Sequence, residues 1–152
     1  MTAPVHRVVL VALRLVTAAG LAIDAYVHAD LAGSFAHNGH TLTQGDLFLI
    51  EAGAASAAAL LVLVLPRWYT VALAVLIAAS ALGAVLLYRY VDVGTLGPLP
   101  NMYEPIWYPE KTASAIAEAT ALAAGLGALA LSLATRRARH GASGPAVHTP
   151  AA

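Results

Sequence analysis

The chain has 152 residues, of which 60% are hydrophobic and 11% charged, and its formal net charge is zero. Long apolar runs in such a composition are typical of integral membrane proteins, and the neutral charge provides no basic surface for nucleic acid. Because the chain contains no cysteine, disulfide exchange, iron–sulfur clusters, and thiolate catalysis or metal ligation are excluded.

Four segments are long and apolar enough to cross a membrane, which takes about 20 mostly apolar residues. We therefore predict an all-α fold, a bundle of four transmembrane helices within residues 1–135: about 8–27, 47–65, 69–88 and 112–134. They are connected by three segments, a polar loop, a short turn and a proline-rich loop: 28–46, 66–68 and 89–111. Residues 136–152 are basic and then rich in glycine, alanine and proline, which predicts a disordered cytoplasmic tail.

Several helix ends carry recognisable signals. Thr43 followed by Asp46 has the spacing of a capping box at the start of the second helix. Pro66 ends that helix, and Pro109 followed by Glu110 opens the fourth. Small residues spaced four apart, which allow helices to pack closely, occur on three of the segments: Gly53 and Ala57, Ala79 and Gly83, and Ala121 and Gly125.

The basic residues predict the orientation. If both termini share one face of the membrane, six arginines lie on that face and only Arg89 and Lys111 on the other. The positive-inside rule then places both termini in the cytoplasm. Seven arginines against one lysine suggest a GC-rich bacterial genome, so the expected location is a bacterial plasma membrane. A cleavable signal peptide is the alternative for the first segment, but Arg14 and Asp24 interrupt the apolar run that it needs.

Acidic side chains interrupt three of the apolar segments near their outer ends. Asp24, Glu51 and Glu118 each lie roughly 6 to 9 Å inside a predicted helix, at about 1.5 Å per residue. His28 lies one turn after Asp24 on the same helix face. Because charged side chains that face lipid are unfavourable, we expect these four residues to face one another in a polar cup that opens outward. The alternative is separate acids at the interface, stabilised by snorkelling or by the helix dipole.

Carboxylates at close range need a neutralising charge, and a proton, a metal ion, Arg89, Lys111 or protonated His28 are candidates. The cup residues, together with Arg89, are therefore our candidate ligand- or ion-binding residues. Asp24, His28, Glu51 and Glu118 also form a donor set suited to zinc, manganese or iron. No metal-binding spacing such as His-x-x-x-His supports it, and His37 and His40 fall in a loop. Nor is there a haem, iron–sulfur or nucleotide signature, so the cofactor is unknown.

Two basic features belong to the opposite face. Arg14 lies about two turns inside the first predicted helix, where its long side chain is expected to snorkel to the headgroups. The arginines at 136–139 directly follow the last helix and are expected to contact anionic lipid.

The third connecting segment contains "GTLGPLPNMYEPIWYPEK" (Gly94–Lys111), with four prolines. Prolines stiffen the backbone and aromatic side chains anchor at the membrane interface. Eight of the ten aromatic residues of the chain lie on the outer side. We therefore predict an ordered lid or docking surface over the cup, with Glu104, Trp107 and Tyr108 as its main residues. The alternative is an interfacial anchor that only covers the helix ends.

The segment order and the stretch "GPLPNMYEPIWYPEK" resemble uncharacterised small four-helix integral membrane proteins of actinobacteria. The resemblance covers most of the chain outside the tail and implies the same four-helix architecture. It implies no activity and supplies no catalytic residues.

Three functions are compatible with these features. The first is an accessory or structural subunit of a membrane complex, which presents the lid to a membrane-protein partner or to a second copy. The second is an ion- or small-ligand-binding or transport component that uses the cup. The third is a metal-dependent membrane enzyme, although no nucleophile–base pair or cofactor fingerprint supports it and no catalytic residue is assigned.

Overall fold

The computed structural model describes residues 3–142 of the chain. It contains four α-helices, with one turn of 3-10 helix (Gly33–Phe35) after the first: α1 (Ala3–Ala32), α2 (Gln44–Val64), α3 (Trp68–Tyr90) and α4 (Pro109–Ala142). In this part of the chain the only β-type pairing is a single bridge between Leu96 and Leu99. Each of the four helices is long and apolar enough to cross a membrane. The prediction of an all-α fold with four membrane-length helices is confirmed.

The helices extend beyond their apolar segments. α1 continues to Ala32, so His28 is helical and the first loop begins later than predicted. α4 continues to Ala142, and the predicted disorder is therefore wrong for residues 136–142, while residues 143–152 lie outside the described range. The physical reason is that hydropathy shows only where the apolar part of a helix ends. Backbone hydrogen bonding can continue the helix beyond that point. Arginine and alanine are both good helix formers.

The helices form a bundle in which α1 packs along α2 and α4, and α3 packs along α4 and less extensively along α2. At one end, the α1–α2 and α3–α4 connections meet, and Asn38 Nδ2 donates to the Asn101 carbonyl oxygen at 3.1 Å. At the other end, the start of α1 meets the end of α4, where His6 Nε2 and Thr135 Oγ1 are 2.6 Å apart. We call these the loop end and the terminal end.

Small residues allow α1 and α4 to come very close. A Cβ atom built on Gly20 would lie 2.7 Å from the Ala117 carbonyl oxygen, so the two backbones are nearly in contact there. Gly125 is similarly enclosed, since a Cβ on it would lie 2.8 Å from Val75 Cγ2. A Cβ on Gly53 or Gly83 would meet nothing within 4 Å among the described residues. Of the three small-residue pairs predicted from sequence, only Ala121 and Gly125 therefore lie in a helix contact within this chain.

The predicted capping box at the start of α2 is present. The Thr43 hydroxyl accepts a hydrogen bond from the Asp46 backbone N–H at 3.0 Å. In return, Asp46 Oδ2 accepts from the Thr43 backbone N–H at 2.9 Å. Two backbone N–H groups that the helix itself leaves unpaired are thus satisfied.

We expect Thr43→Ala to lower the free energy of unfolding by about 1 kcal/mol, because the substitution leaves an N–H group of the first turn without its acceptor. Chemical denaturation in detergent micelles, followed by circular dichroism, measures the change. Thr41→Ala, at an exposed position of the same loop, is the control and is expected to change stability by less than about 0.5 kcal/mol. Equal losses in the two variants would show that the capping box does not stabilise α2.

Candidate functional site

Four polar side chains are buried together near the loop end, between α1 and α4. Asp24 and Glu118 have no exposed surface, while His28 is 8% and Ser114 3% exposed. On each helix the two residues are spaced four apart and so share one face. Gly20, one turn before Asp24, lets α1 approach α4 closely enough to bring the pairs together. We call these four residues the acid–histidine cluster.

Hydrogen bonds join the cluster across the two helices. His28 Nδ1 lies 2.8 Å from Asp24 Oδ1, and the ring of Phe48 packs edge-on against the imidazole at 5.1 Å. The Ser114 hydroxyl lies 2.7 Å from Glu118 Oε1 and 3.0 Å from Asp24 Oδ1. A hydroxyl has one hydrogen to donate, so Ser114 bridges two carboxyl groups but fully satisfies only one at a time.

The second oxygens of both acids lack hydrogen-bond partners. Asp24 Oδ2 and Glu118 Oε2 are buried and unpaired among the described residues, as is Glu51 Oε1 nearby. An unpaired buried carboxylate oxygen is strongly unfavourable, and most buried polar atoms in native proteins are hydrogen-bonded. Asp24, His28 and Glu118 each offer one donor atom, and these three atoms lie within 4.8 Å of one another. The three residues therefore form a set that could hold a metal ion.

A cavity of about 400 Å³ adjoins the cluster, with His28 and Ser114 at the boundary between them. Its walls come from all four helices and the α3–α4 loop and are mostly apolar. Three exposed residues on α2 and α3 also line it, Ile50, Ser80 and Ala84, so the cavity opens sideways between these helices. Its size lies within the range of small-molecule binding pockets, about 300 to 1,000 Å³.

The α3–α4 loop lies over the cavity, where Met102, Glu104 and Tyr108 contribute to the lining. The Glu104 backbone N–H donates to the Tyr88 carbonyl oxygen at 3.0 Å, which attaches the loop to the end of α3. Gly97 adopts a φ of 58°, a conformation that favours glycine, in the turn closed by Leu96 and Leu99. The loop is thus folded, and we call residues 94–111, which include the first three residues of α4, the lid.

Lys111 is the basic residue that faces the cavity. It is only 7% exposed, and its Nζ donates to the Glu104 carbonyl oxygen. The same Nζ lies 5.7 Å from the centre of the Trp107 ring. The lid therefore holds a positive charge against the cavity through a backbone oxygen and a cation–π contact.

Arg89, which the sequence placed in the cup, does not line the cavity. Its guanidinium carbon lies 5.0 Å from the centre of the Tyr90 ring and 5.7 Å from that of Trp107. Stacking on aromatic rings competes with contact to the acids, since a guanidinium is planar and weakly hydrated. The assignment of Arg89 as a ligand-binding residue stays a prediction, and Lys111 is the residue with a basic side chain that lines the cavity.

Tyr108 lines the cavity from the lid, while Trp107 remains partly exposed. Burial raises the pKa of the Tyr108 hydroxyl, and the nearby carboxyl groups of Glu104 and Glu110 raise it further. At physiological pH this hydroxyl is therefore neutral and available to donate a hydrogen bond.

The other residues that were predicted from sequence lie outside the acid–histidine cluster. Glu51 lines the cavity wall but is not one of the three residues whose donor atoms converge. His37 and His40 are exposed in the α1–α2 loop and do not line the cavity. Sequence reasoning missed Ser114, although its spacing of four from Glu118 repeats the spacing of Asp24 and His28.

The charges around the cavity do not balance. If all are ionised, the carboxyl groups of Asp24, Glu51, Glu104 and Glu118 carry four negative charges, and Lys111 carries one positive charge. Even with His28 protonated, two negative charges then remain, and with a neutral imidazole three remain. Because buried charges need a partner, the site requires a bound cation or additional protons.

Comparison with protein-family models, with curated proteins and with solved structures gave no match to this chain. The function is therefore inferred from the geometry of the site.

Proposed function

We propose that this chain is a multi-pass membrane protein that binds a divalent cation at the acid–histidine cluster and a small, mostly apolar molecule in the adjoining cavity. The observation that carries the proposal is the pair of buried, unpaired oxygens Asp24 Oδ2 and Glu118 Oε2. Both belong to side chains whose donor atoms converge with one of His28. A divalent cation held by these side chains gives both carboxylates a partner and offsets two of the negative charges.

The donor set indicates the class of cation. Two carboxylates and one imidazole, without any thiolate, suit zinc, manganese or ferrous iron. Three protein ligands leave at least one coordination position for water or another ligand. Asp24 and Glu118 are fully buried, whereas His28 also borders the cavity. An exogenous ligand is therefore expected to reach the cation from the cavity side.

The cavity itself suits a small amphipathic ligand. Its lining is mainly apolar, and Glu51, Tyr108 and Lys111 provide a few polar groups that can orient a bound molecule. The sideways opening between α2 and α3 gives entry to a molecule dissolved in lipid. We therefore propose a carrier or sensor of a small, lipid-soluble compound that carries a metal-binding or hydrogen-bonding group.

We expect Ala81→Phe to block the cavity without weakening cation binding. Ala81 lines the cavity and is 6% exposed, so a phenyl ring at this position takes up part of the cavity volume. The measurement uses Co²⁺ as a coloured probe cation and phenylimidazole as a probe ligand that changes the cobalt spectrum when it coordinates. The variant is expected to bind Co²⁺ as wild type does and to lose the phenylimidazole response.

Ala79→Phe is the matched control, because Ala79 is exposed on the same helix and does not line the cavity. It is expected to retain both responses. If Ala81→Phe and wild type responded equally to phenylimidazole, the cavity would not be the route to the cation.

We further propose that both termini lie in the cytoplasm of a bacterial cell and that the site faces outward across the plasma membrane. The excess of arginine at the terminal end supports this orientation. Because the chain has no cysteine, a single cysteine introduced at exposed position 40 or 137 reports on the orientation directly. A membrane-impermeant maleimide is expected to label His40→Cys in intact cells and Arg137→Cys only after permeabilisation. The reverse pattern would contradict the orientation.

A second candidate is an accessory subunit of a membrane complex, favoured by exposed apolar side chains on the lid. Ile106 is 64% and Leu96 52% exposed, and Trp107 is also partly exposed. These side chains suit contact with another membrane protein. Purification from the native membrane tests it. A partner that is lost in Ile106→Ser while Co²⁺ binding is unchanged would favour this function.

A further inference from the structure

A second concave site lies at the terminal end, far along the bundle from the acid–histidine cluster. A cleft of about 1,020 Å³ is formed there by the start of α1, the α2–α3 turn and the end of α4. Four arginines line it, Arg7, Arg14, Arg67 and Arg136, and no acidic side chain in the described part of the chain does so. All eight acids of the protein lie elsewhere, so the charge of this cleft is positive and uncompensated.

Arg14 is the deepest of these arginines. It lies about three turns after the start of α1 and is only partly exposed. Its Nε is buried and has no hydrogen-bond acceptor among the described residues. Its side chain borders the cleft. A guanidinium held there lacks an acceptor that a bound anion can provide.

Aromatic side chains hold two of the other arginines at the cleft. The guanidinium carbon of Arg136 lies 5.5 Å from the centre of the Trp68 ring, and that of Arg67 lies 5.9 Å from the centre of the Tyr69 ring. Such contacts restrict the guanidinium groups without neutralising them. The N–H groups of the arginines therefore remain available to an incoming anion.

We propose that this cleft binds the phosphate group of an anionic phospholipid. Arginines bind phosphate through paired charge-assisted hydrogen bonds, and several arginines around one cleft match a group with several negatively charged oxygens. α1 also carries exposed apolar side chains directly after three cleft residues: Val8, Val11 and Leu15. They provide a surface for acyl chains beside the phosphate site, which a free phosphate ion would not use.

The two tryptophans of the chain make the cleft accessible to a direct measurement. Trp68 lines the cleft and Trp107 lies on the lid, so Trp107→Phe leaves Trp68 as the single reporter. Delipidated protein in detergent micelles is titrated with dihexanoyl phosphatidylglycerol, dihexanoyl phosphatidylcholine or sodium phosphate. A saturable change of Trp68 fluorescence is expected with phosphatidylglycerol, and at least a tenfold weaker response with the other two.

Arg136→Gln and Arg137→Gln form a matched pair in this background. They remove the same charge from adjacent positions of α4, but only Arg136 lines the cleft. We expect Arg136→Gln to weaken phosphatidylglycerol binding about tenfold or more and Arg137→Gln to leave it within about twofold. Native mass spectrometry provides an independent readout of lipid binding. By this method the Arg14→Gln variant is also expected to have lost its bound phosphatidylglycerol.

Other outcomes overturn the proposal. Equal affinity for sodium phosphate and phosphatidylglycerol would make the cleft a site for free phosphate and not for lipid. Equal losses in Arg136→Gln and Arg137→Gln would show that net charge alone attracts the lipid. Binding of phosphatidylcholine as tight as that of phosphatidylglycerol would remove the role of the arginines altogether.

Discussion

Glu118→Gln is expected to abolish divalent-cation binding while leaving the cation-free protein folded and at least as stable as wild type. The amide keeps the size of the side chain, and its oxygen still accepts the hydrogen bond from Ser114. Its NH₂ group can donate to an oxygen of Asp24 after a small side-chain adjustment, because one donor atom of each side chain lies within 4.8 Å of the other. Removing a buried negative charge and pairing that oxygen is expected to raise the free energy of unfolding by about 1 kcal/mol. Losing one of three protein ligands is expected to weaken cation binding by at least about 100-fold.

Titration calorimetry with Mn²⁺ and chemical denaturation in the presence of a chelator measure the two effects on the same preparation. Glu110→Gln, which makes the same change at an exposed position in the first turn of α4, is the control and is expected to alter neither. A loss of about 3 to 5 kcal/mol in Glu118→Gln, the size seen when one member of a buried ion pair is removed, would instead indicate a purely structural carboxylate.

Gly20→Ala is expected to destabilise the protein and to weaken cation binding together. The new Cβ would lie 2.7 Å from the Ala117 carbonyl oxygen and 2.9 Å from Ala121 Cβ, so α1 and α4 must separate. Overpacking of this kind lowers the free energy of unfolding by about 1 to 3 kcal/mol. The same separation moves Asp24 away from Ser114 and Glu118. Thermal unfolding followed by circular dichroism and Mn²⁺ titration measure the two consequences.

Gly53→Ala provides the matched control for that substitution. A Cβ at Gly53 meets nothing within 4 Å among the described residues, and alanine favours a helix over glycine by up to about 1 kcal/mol. This variant is therefore expected to be as stable as wild type or slightly more stable, with normal cation binding. A stable Gly20→Ala variant that binds Mn²⁺ normally would show that the close approach of α1 and α4 does not assemble the cluster.

The architecture could be predicted from sequence because apolar length and capping signals act locally. Four apolar runs and the Thr43–Asp46 spacing were sufficient for four helices and one helix start. The ends of α1 and α4 could not be predicted in this way, because hydropathy marks where lipid contact ends and not where backbone hydrogen bonding ends. His28 is the informative example, since it lies past the apolar run but well within α1.

The candidate site was accessible from sequence only in part. The i and i+4 spacing of Asp24 and His28 shows that they share a face, and matching depths suggested that Glu118 lies nearby. Ser114 and Gly20 could not be assigned, because their roles depend on the close packing of α1 against α4, which periodicity does not encode. The choice between Arg89 and Lys111 as the basic residue facing the cavity depends on the fold of the lid.

The arginine cleft was beyond sequence reasoning for a similar reason. Arg14, Arg67 and Arg136 come from three segments that are distant in the chain and meet only in the folded bundle. Taken singly, each of them is compatible with a residue at the membrane interface. Their convergence around one concave surface without an acid is what indicates an anion site.

Metal content is the most direct test of the proposed cation site. Wild type and Glu118→Gln, expressed in medium supplemented with zinc and manganese and purified without a chelator, are compared by inductively coupled plasma mass spectrometry. We expect close to one divalent ion per chain in wild type and none above background in the variant. No ion in wild type, together with no binding on titration with Zn²⁺ or Mn²⁺, would contradict the proposal and leave protons as the charges that neutralise Asp24 and Glu118.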